Sequence, residues 1–360
     1  MQNTLDSPIP ERAPNGFSAA SGLGERGAGS EKAERAAVAP AAAALGIDPF
    51  IAVQYYETRL APDAETVDYL LSVQRGAAAV VAERIRAAAT SSELDTEEWQ
   101  TLARFFAHWA DGASLTSAFV PTTWLEYDRV FEKPAQSAPS LCACITPGYS
   151  VSERHPEKRD LDLRLCRDVL GALRVELERS RDATLSAVFD QLPSGARWIH
   201  LSYMLGREPR ALKLYGAMSR TELPAYLERI GWAGDRTALQ FALAELYPAE
   251  VLGDELFLDL DLENFRERGA ASLGLAVARQ HLLRGPLGET THEPIAARWQ
   301  RAGLCDAGKL ELARNWPSPS ESTRPFLRET RFLDLKLVWR ARTGFEAKAY
   351  FGLLRQRGLF

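Results

Sequence analysis

The chain has 360 residues, of which 46% are hydrophobic and 25% charged, a composition typical of a globular protein with a sizeable apolar core. Lys and Arg together number 43 and Asp and Glu 48, so the formal net charge is -5. This balance excludes nucleic-acid binding through bulk positive charge. Charged residues interrupt the apolar stretches well before the roughly 18 residues that a membrane-spanning helix needs, so no membrane span is predicted.

Residues 1–46 form a segment rich in Ala, Gly, Ser, Pro and charge, with almost no large apolar side chain. Such a segment cannot bury enough surface to offset the entropy lost on ordering, so a disordered tail is predicted there. We expect residues 47–360 to form a single α+β domain. The amino terminus lacks the basic start and apolar middle of a secretory signal, which predicts a cytoplasmic protein with reduced cysteines.

The sequence offers two short clusters of metal-ligating residue types. Cys142 and Cys144 are separated by one residue, but no CxxC or HxxxH pair lies elsewhere to complete the four ligands of a zinc site. Asp259 and Asp261 alone form an incomplete oxygen shell for a divalent cation. No metal site is therefore predicted.

Two amphipathic helices are predicted after the tail. Apolar residues in the segment 63–88 recur at helical spacing, with one interruption at Gln74. A second helix begins near residue 95, at a cluster of acidic residues, and carries several aromatic side chains between Trp99 and Trp109. Both helices are expected to cover another layer of structure.

The rest of the chain alternates short strand pairs with helices. Four pairs are predicted, at residues 122–130 with 140–146, 197–205 with 211–217, 255–262 with 271–278, and 331–340 with 345–352. The helices between them are predicted at residues 160–180, 221–230, 235–246 and 294–315. Connections this short within a pair require antiparallel hairpins, which excludes Rossmann and TIM-barrel folds. The sequence predicts repeated helix-hairpin units with helices on one face of an antiparallel sheet.

One face of each predicted strand is apolar and the other is polar. In residues 255–262, for example, leucines alternate with Phe257, Asp259 and Asp261. Burying an unpaired ion costs several kcal/mol, against a total stability of roughly 5 to 15 kcal/mol, so these groups cannot lie in a dry core. They face either bulk water on an open sheet or a hydrated lumen inside a closed barrel.

Two details favour the lumen. A Lys-x-Tyr pair occurs on the polar face of two strands, as Lys213 with Tyr215 and as Lys348 with Tyr350. Lys supplies a point charge and Tyr a rigid hydroxyl donor, a combination suited to phosphate oxygens. One strand also has a face of small residues that leaves space inside a barrel: Ser272, Gly274, Ala276 and Ala278.

These features resemble the ABBA-type, or PT-barrel, aromatic and peptide prenyltransferases, whose antiparallel β-barrel is built from repeated helix-strand-strand-helix units with the helices outside. The resemblance covers the layout of residues 95–355. It is carried most sharply by three strands: Trp124-Leu125-Glu126-Tyr127-Asp128, Lys213-Leu214-Tyr215 and Lys348-Ala349-Tyr350.

The resemblance implies transfer of an allylic prenyl group from a prenyl diphosphate to an aromatic small molecule or peptide. Glu126 would then be the catalytic carboxylate that orients the acceptor. Diphosphate binding and shielding of the allylic cation are implied for Lys213, Tyr215, Lys336, Arg340, Lys348 and Tyr350. Substrate-lining positions would be Trp124, Trp198, His200 and Asp259. No DDxxD clamp for magnesium occurs on a helix, so metal-independent ionisation without a cofactor is expected.

The sequence departs from the family pattern at two points. The family has five repeats, whereas four hairpins are predicted here. It also carries an arginine on the strand after the acceptor glutamate, and residues 140–146 contain none. Two alternatives remain open: Glu126 could be a structural carboxylate paired with Arg129 or a lumen lysine, and His200 could be a general base or a packed histidine. The alternative function is a non-catalytic scaffold that binds a peptide or metabolite in the same cavity.

Overall fold

A computed structural model describes residues 51–64, 66–89, 96–128, 138–145, 156–207, 210–277, 292–316 and 327–357. Its centre is a closed barrel of antiparallel strands, each paired with its neighbours in the chain, and the first strand pairs with the last. The strands are β1 (Ile51–Arg59), β2 (Val67–Gln74), β3 (Thr122–Tyr127), β4 (Ser140–Cys144), β5 (Arg197–Tyr203), β6 (Leu212–Ser219), β7 (Glu255–Asp261), β8 (Ser272–Val277), β9 (Leu327–Arg340) and β10 (Gly344–Arg357).

Helices fill the connections between successive hairpins. They are α1 (Ala78–Ala89), α2 (Glu97–Ala110), α3 (Leu115–Phe119), α4 (Pro156–Ala172), α5 (Arg179–Asp190), α6 (Leu223–Arg229), α7 (Arg236–Phe241), α8 (Ala249–Leu252), α9 (His292–Arg301) and α10 (Ala307–Asn315). A short 3-10 turn (Arg75–Ala77) precedes α1, and a π-helical turn (Ala242–Leu246) follows α7. In the part of the chain that the structure describes, no helix combines the length and apolarity needed to cross a bilayer.

The main hydrophobic core lies between the barrel and its helices. The outward leucines of β7, among them Leu256, Leu258 and Leu260, are fully buried in it. Large helix side chains such as Trp99 and Phe105 of α2 are also fully buried and belong to the same core. The inward side chains of the same strands are the polar ones. The predicted fold class, an antiparallel β-barrel with helices outside, is therefore confirmed.

The predicted helix at residues 63–88 is wrong in its first half. Residues 67–74 are β2, which pairs with β1, and α1 begins at Ala78. β2 buries residues on both faces, Tyr69 and Leu71 outside and Asp68 and Ser72 inside, so its sequence lacks a clear alternation of polarity. Periodicity alone cannot distinguish such a strand from a buried helix. The hairpin β1–β2 supplies the fifth repeat.

Two predicted helices are each two helices in the structure. The segment predicted at residues 160–180 contains α4, and α5 begins only at its end. The segment predicted at 294–315 is divided into α9 and α10 around Gly303, whose φ of 72° is left-handed and ends α9. The tail predicted at residues 1–46 lies outside the described residues.

Candidate functional site

A cavity of about 170 Å³ lies in the barrel lumen. Every strand contributes at least one side chain to the lining of this cavity, because alternate residues of each strand point inward. Nine of the sequence-predicted site residues line the cavity: Trp124, Glu126, His200, Lys213, Tyr215, Asp259, Lys336, Lys348 and Tyr350. The closed barrel thus brings together residues that are up to 226 positions apart, as between Trp124 and Tyr350.

Basic residues lie side by side on three adjacent strands. Lys336 of β9 is the register partner of Lys348 of β10, which is the partner of Arg59 of β1. Like charges in this position repel one another unless they are compensated. Each one has a carboxylate: Lys336 Nζ lies 2.5 Å from Asp259 Oδ2, Lys348 donates to Glu57, and Arg59 Nε lies 3.2 Å from Glu346 Oε1.

The buried pair of Lys348 and Glu57 dominates the electrostatics at this end of the lumen. Their side chains are only 10% and 5% exposed. Burial by itself raises the pKa of Glu57, but the charges of Lys348 and Lys336, with hydrogen bonds from Lys348 and Tyr350, outweigh it and lower this pKa well below its usual range. Glu57 is therefore held as an anion.

Lys213 of β6 differs from the other two lumen lysines. Among the described residues, no carboxylate lies within ion-pair distance of its amine. Burial lowers the pKa of Lys213, Asp259 and Glu126 raise it, and Arg207 and Lys336 lower it further, so that the net shift is downward. Lys213 is therefore the one of these three lysines whose amine has no carboxylate partner among the described residues.

Glu126 of β3 is held by an arginine that was not predicted as a site residue. Arg207, on the turn between β5 and β6, donates to Glu126 and also to both carboxylate oxygens of Asp128, at 2.6 and 2.7 Å. Burial raises the pKa of Glu126, Arg207 lowers it, and the nearby Glu57 and Asp128 raise it, with a net upward shift. The alternative partner Arg129 lies outside the described residues.

Aromatic rings form much of the lumen wall. Tyr55 packs on Trp124, Phe332 and Tyr350, with ring centroids 5.5, 5.3 and 6.2 Å away, and its hydroxyl donates to Asp334 at 2.9 Å. On the other side, the ring of Tyr215 is stacked on that of His200 at 5.5 Å. Burial raises the pKa of Tyr215 and of Tyr350, so both hydroxyls remain donors at neutral pH.

The small-residue face of β8 leaves room for a side chain and for part of the cavity. A Cβ at Gly274 would lie 2.6 Å from Lys336 Cε and 3.0 Å from Asp259 Cβ, so the glycine lets Lys336 cross β8 to reach Asp259 on β7. Ala276 lines the cavity itself. Ala278 lies outside the described residues.

Trp198 does not line the cavity, and this prediction is wrong. Trp198 pairs with Gly216 while His200 pairs with Tyr215, so Ile199 is an extra residue that makes a β-bulge. The bulge turns the indole outward into the main core, where its centroid is 6.4 Å from that of Tyr226 on α6. Gly216 permits this packing, because a Cβ there would lie 2.6 Å from Trp198 Cε3.

Arg340 also lies away from the cavity. It is the last residue of β9 and donates to Glu346 across the hairpin that joins β9 to β10, with 37% of its side chain exposed. The alternation along β9 predicted the correct face of the strand for Arg340. It could not show that this residue lies beyond the end of the cavity.

Several residues that line the cavity were not predicted as site residues, among them Tyr55, Glu57 and Arg207. Tyr55 and Glu57 alternate on β1, and that alternation is the signal that could have identified them. Arg207 lies on a turn, where no periodic signal exists. It supplies the arginine beside Glu126 that residues 140–146 lack.

The described residues contain no group of three or more His, Cys, Asp or Glu side chains arranged to hold a metal ion. The cysteines are free thiols. Cys142 lines the cavity, and burial strongly raises its pKa, so it stays protonated. Metal independence remains a prediction.

Comparison with solved structures finds this fold in AnaPT from Neosartorya fischeri, a fungal aromatic prenyltransferase. The similarity has a TM-score of 0.53 at 11% sequence identity and covers 85% of this chain and 80% of that chain. No protein-family model and no curated protein matches the sequence. At this identity the similarity establishes the fold: the chain forms an ABBA-type barrel like that of AnaPT.

Proposed function

We propose that the lumen transfers an allylic prenyl group from a prenyl diphosphate to an aromatic small molecule or peptide side chain. The observation that carries this proposal is a cavity in the barrel lumen that is lined by Glu126 on β3, by lysines on β6, β9 and β10, and by tyrosines. The barrel shared with AnaPT supports a transferase of this kind.

Lys213 would be the first ligand of the diphosphate, because its amine has no ion-pair partner among the described residues. Lys336 and Lys348 would add to it by sharing their protons between the ligand and the carboxylates of Asp259 and Glu57. A hydrogen bond to a charged group contributes about 1.5 to 3 kcal/mol, so three such contacts would stabilise the leaving diphosphate substantially. Ionisation would break the allylic C–O bond, with the electron pair leaving on the diphosphate oxygen.

The aromatic wall would protect the allylic cation. Tyr215, Tyr350 and Trp124 line the cavity. An aromatic ring whose face meets the cation would attract it electrostatically. Bound substrates would have to displace water from the lumen, because water would capture the cation as an alcohol.

Glu126 would receive the proton that the aromatic acceptor loses when its π electrons form the new bond to the prenyl carbon. Burial raises the pKa of this carboxyl, which makes it a stronger base than an exposed glutamate. Arg207 would hold the carboxylate in position and keep it ionised. General base catalysis of this kind contributes about 100-fold to 10,000-fold in rate.

The test is incubation with dimethylallyl, geranyl and farnesyl diphosphates and a panel of aromatic acceptors, including tryptophan-containing and tyrosine-containing peptides. Mass spectrometry should detect an acceptor heavier by one prenyl group, and a chelator should leave the yield unchanged. A panel without any alkylated product, together with no heat of diphosphate binding in calorimetry, would contradict the proposal.

The charge balance of the cavity favours a second candidate, the non-catalytic binding of a peptide or metabolite. Its lining includes four carboxylates, Glu57, Glu126, Asp259 and Asp334, against four cations, Arg207, Lys213, Lys336 and Lys348. Such a lumen suits a ligand that carries both charges. Calorimetry separates the candidates, because prenyl transfer requires binding of inorganic diphosphate and the second candidate requires binding of a zwitterionic ligand without turnover.

A further inference from the structure

Lysine is rare in this chain. The 43 basic residues comprise 36 arginines and seven lysines, the lysines at positions 32, 133, 158, 213, 309, 336 and 348. Three of the seven, Lys213, Lys336 and Lys348, line the barrel lumen. An arginine stays charged at any physiological pH, whereas a lysine amine can lose its proton and react as a nucleophile. The lumen therefore concentrates a side chain whose chemistry differs from that of the other cations.

The three lumen lysines differ in their carboxylate partners. Lys336 Nζ is 2.5 Å from Asp259 Oδ2, and Lys348 donates to Glu57 and lies 3.8 Å from Glu346. Both amines therefore have a carboxylate partner, and, against the effect of burial, the carboxylates of Asp259 and Glu57 help to raise the pKa of Lys336. Lys213 has no salt bridge within the described part of the chain, although its strand neighbours are Ser202 of β5 and Asp261 of β7.

The surroundings of Lys213 shift its pKa downward. Burial lowers its pKa most, and the positive charges of Arg207, on the β5–β6 turn, and Lys336, on β9, lower it further. The carboxylates of Asp259, on β7, and Glu126, on β3, act in the opposite direction without reversing the shift. The acid next to it in register, Asp261, has a pKa raised mainly by burial.

A stack of aromatic rings lies beside this amine. Tyr215 is two residues along β6 on the same face, and its ring is stacked between those of His200 and Phe257, with interplanar angles of 19° and 18°. The cavity of about 170 Å³ is slightly larger than an engineered cavity of roughly 150 Å³ that binds benzene. A cavity of this volume can hold a ligand with a single aromatic ring.

We propose that Lys213 is an amine nucleophile that forms an imine with an aromatic aldehyde bound in the lumen. The amine nitrogen adds its lone pair to the carbonyl carbon and gives a carbinolamine. The two amine protons and the carbonyl oxygen then leave as water, and a C=N bond remains. The reaction needs no oxidant. It uses the neutral form of the amine and an empty diphosphate site, so a bound diphosphate, which the proposed function places on Lys213, would compete with it.

The test is reductive trapping on the full-length protein. Benzaldehyde and sodium cyanoborohydride convert an imine into a stable benzylamine, and peptides from a protease that does not cleave at lysine locate it by mass spectrometry. We expect Lys213 to be benzylated at least tenfold faster than Lys336 and Lys348, which share its cavity but hold carboxylates. Those two lysines are internal controls for access.

Three outcomes would overturn the proposal: equal labelling of the lumen lysines, labelling confined to lysines outside the lumen, or no labelling of Lys213. The variant Lys213→Arg should lose the fast-labelled peptide and retain the melting temperature of the parent. Because the comparison among lysines is made within the parent protein, a poorly folded variant leaves the test intact.

Discussion

Arg207 on the β5–β6 turn bridges Glu126 and Asp128 at the end of β3. Because β4 lies between β3 and β5 in the barrel, this contact links two strands that are not neighbours. It also holds the side chain of Glu126, the candidate base. Arg207 also affects the ionisation of Glu126, because the guanidinium lowers the pKa of this carboxyl while burial raises it by more. The ionisation of Glu126 is therefore sensitive to this one arginine.

Replacing Arg207 should shift the pH dependence of prenyl transfer. In Arg207→Gln the lowering influence is lost, so the pKa of Glu126 rises further and the ionised base appears only at higher pH. The acidic limb of the profile of kcat/KM should therefore move towards higher pH. Arg207→Lys keeps a positive charge and should restore part of the shift, whereas identical limbs in all three proteins would show that Glu126 is not the titrating base.

Removing the base should affect turnover more than diphosphate binding. Glu126→Gln keeps the shape of the side chain but cannot accept a proton, so kcat should fall about 100-fold to 10,000-fold. The affinity for dimethylallyl diphosphate, measured by calorimetry, should change little, because no diphosphate contact is assigned to Glu126. Glu228→Gln, which alters an exposed ion pair with Arg236, is the matched control and should leave kcat unchanged. A Glu126→Gln protein with normal turnover would assign the carboxylate a structural role.

Lys213→Ala should weaken diphosphate binding. Loss of a hydrogen bond between charged groups corresponds to about 1.5 to 3 kcal/mol, or roughly a tenfold to 150-fold rise in Kd. The control Arg236→Ala removes an exposed cation and should not change Kd. Since Lys213 has no carboxylate partner among the described residues, its removal leaves no buried acid unpaired, and the melting temperature should fall little. An unchanged Kd would remove Lys213 from the diphosphate site.

Glu57→Gln should destabilise the barrel and change its acid sensitivity. It leaves the buried Lys348 with Glu346 at 3.8 Å as its remaining carboxylate, so the free energy of unfolding at pH 7 should fall by about 3 kcal/mol. Urea denaturation measures this loss. The double variant Glu57→Gln with Lys348→Met should recover much of it, because no unpaired charge remains.

The same carboxylate predicts the direction of the pH effect. The pKa of Glu57 is lower in the folded than in the unfolded protein, so its contribution is complete above the unfolded value of about 4.3 and is lost as the pH falls below it. The stability difference between the parent and Glu57→Gln should therefore shrink as the pH is lowered from 5 towards 3. A constant difference across that range would contradict a depressed pKa.

Local sequence was sufficient to predict much of the barrel. Alternation along β6 and β10 predicted that Lys213 and Tyr215, and Lys348 and Tyr350, share the polar face, because the two-residue period of a strand is a local property. Short connections predicted antiparallel hairpins for the same reason. β2 escaped prediction because a strand buried on both faces has no polarity pattern to reveal it.

On β3, β6, β7, β9 and β10 the sequence by itself determined which side chains face inward, but the tertiary structure decided which of them meet. Pairing of β1 with β10 brings Glu57 to Lys348 across 291 positions, and the turn after β5 brings Arg207 to Glu126. The bulge at Ile199 removes Trp198 from the lumen, and the hairpin end removes Arg340. These outcomes depend on barrel closure, register and turn geometry, which are set by contacts between distant segments and leave no periodic trace in the chain.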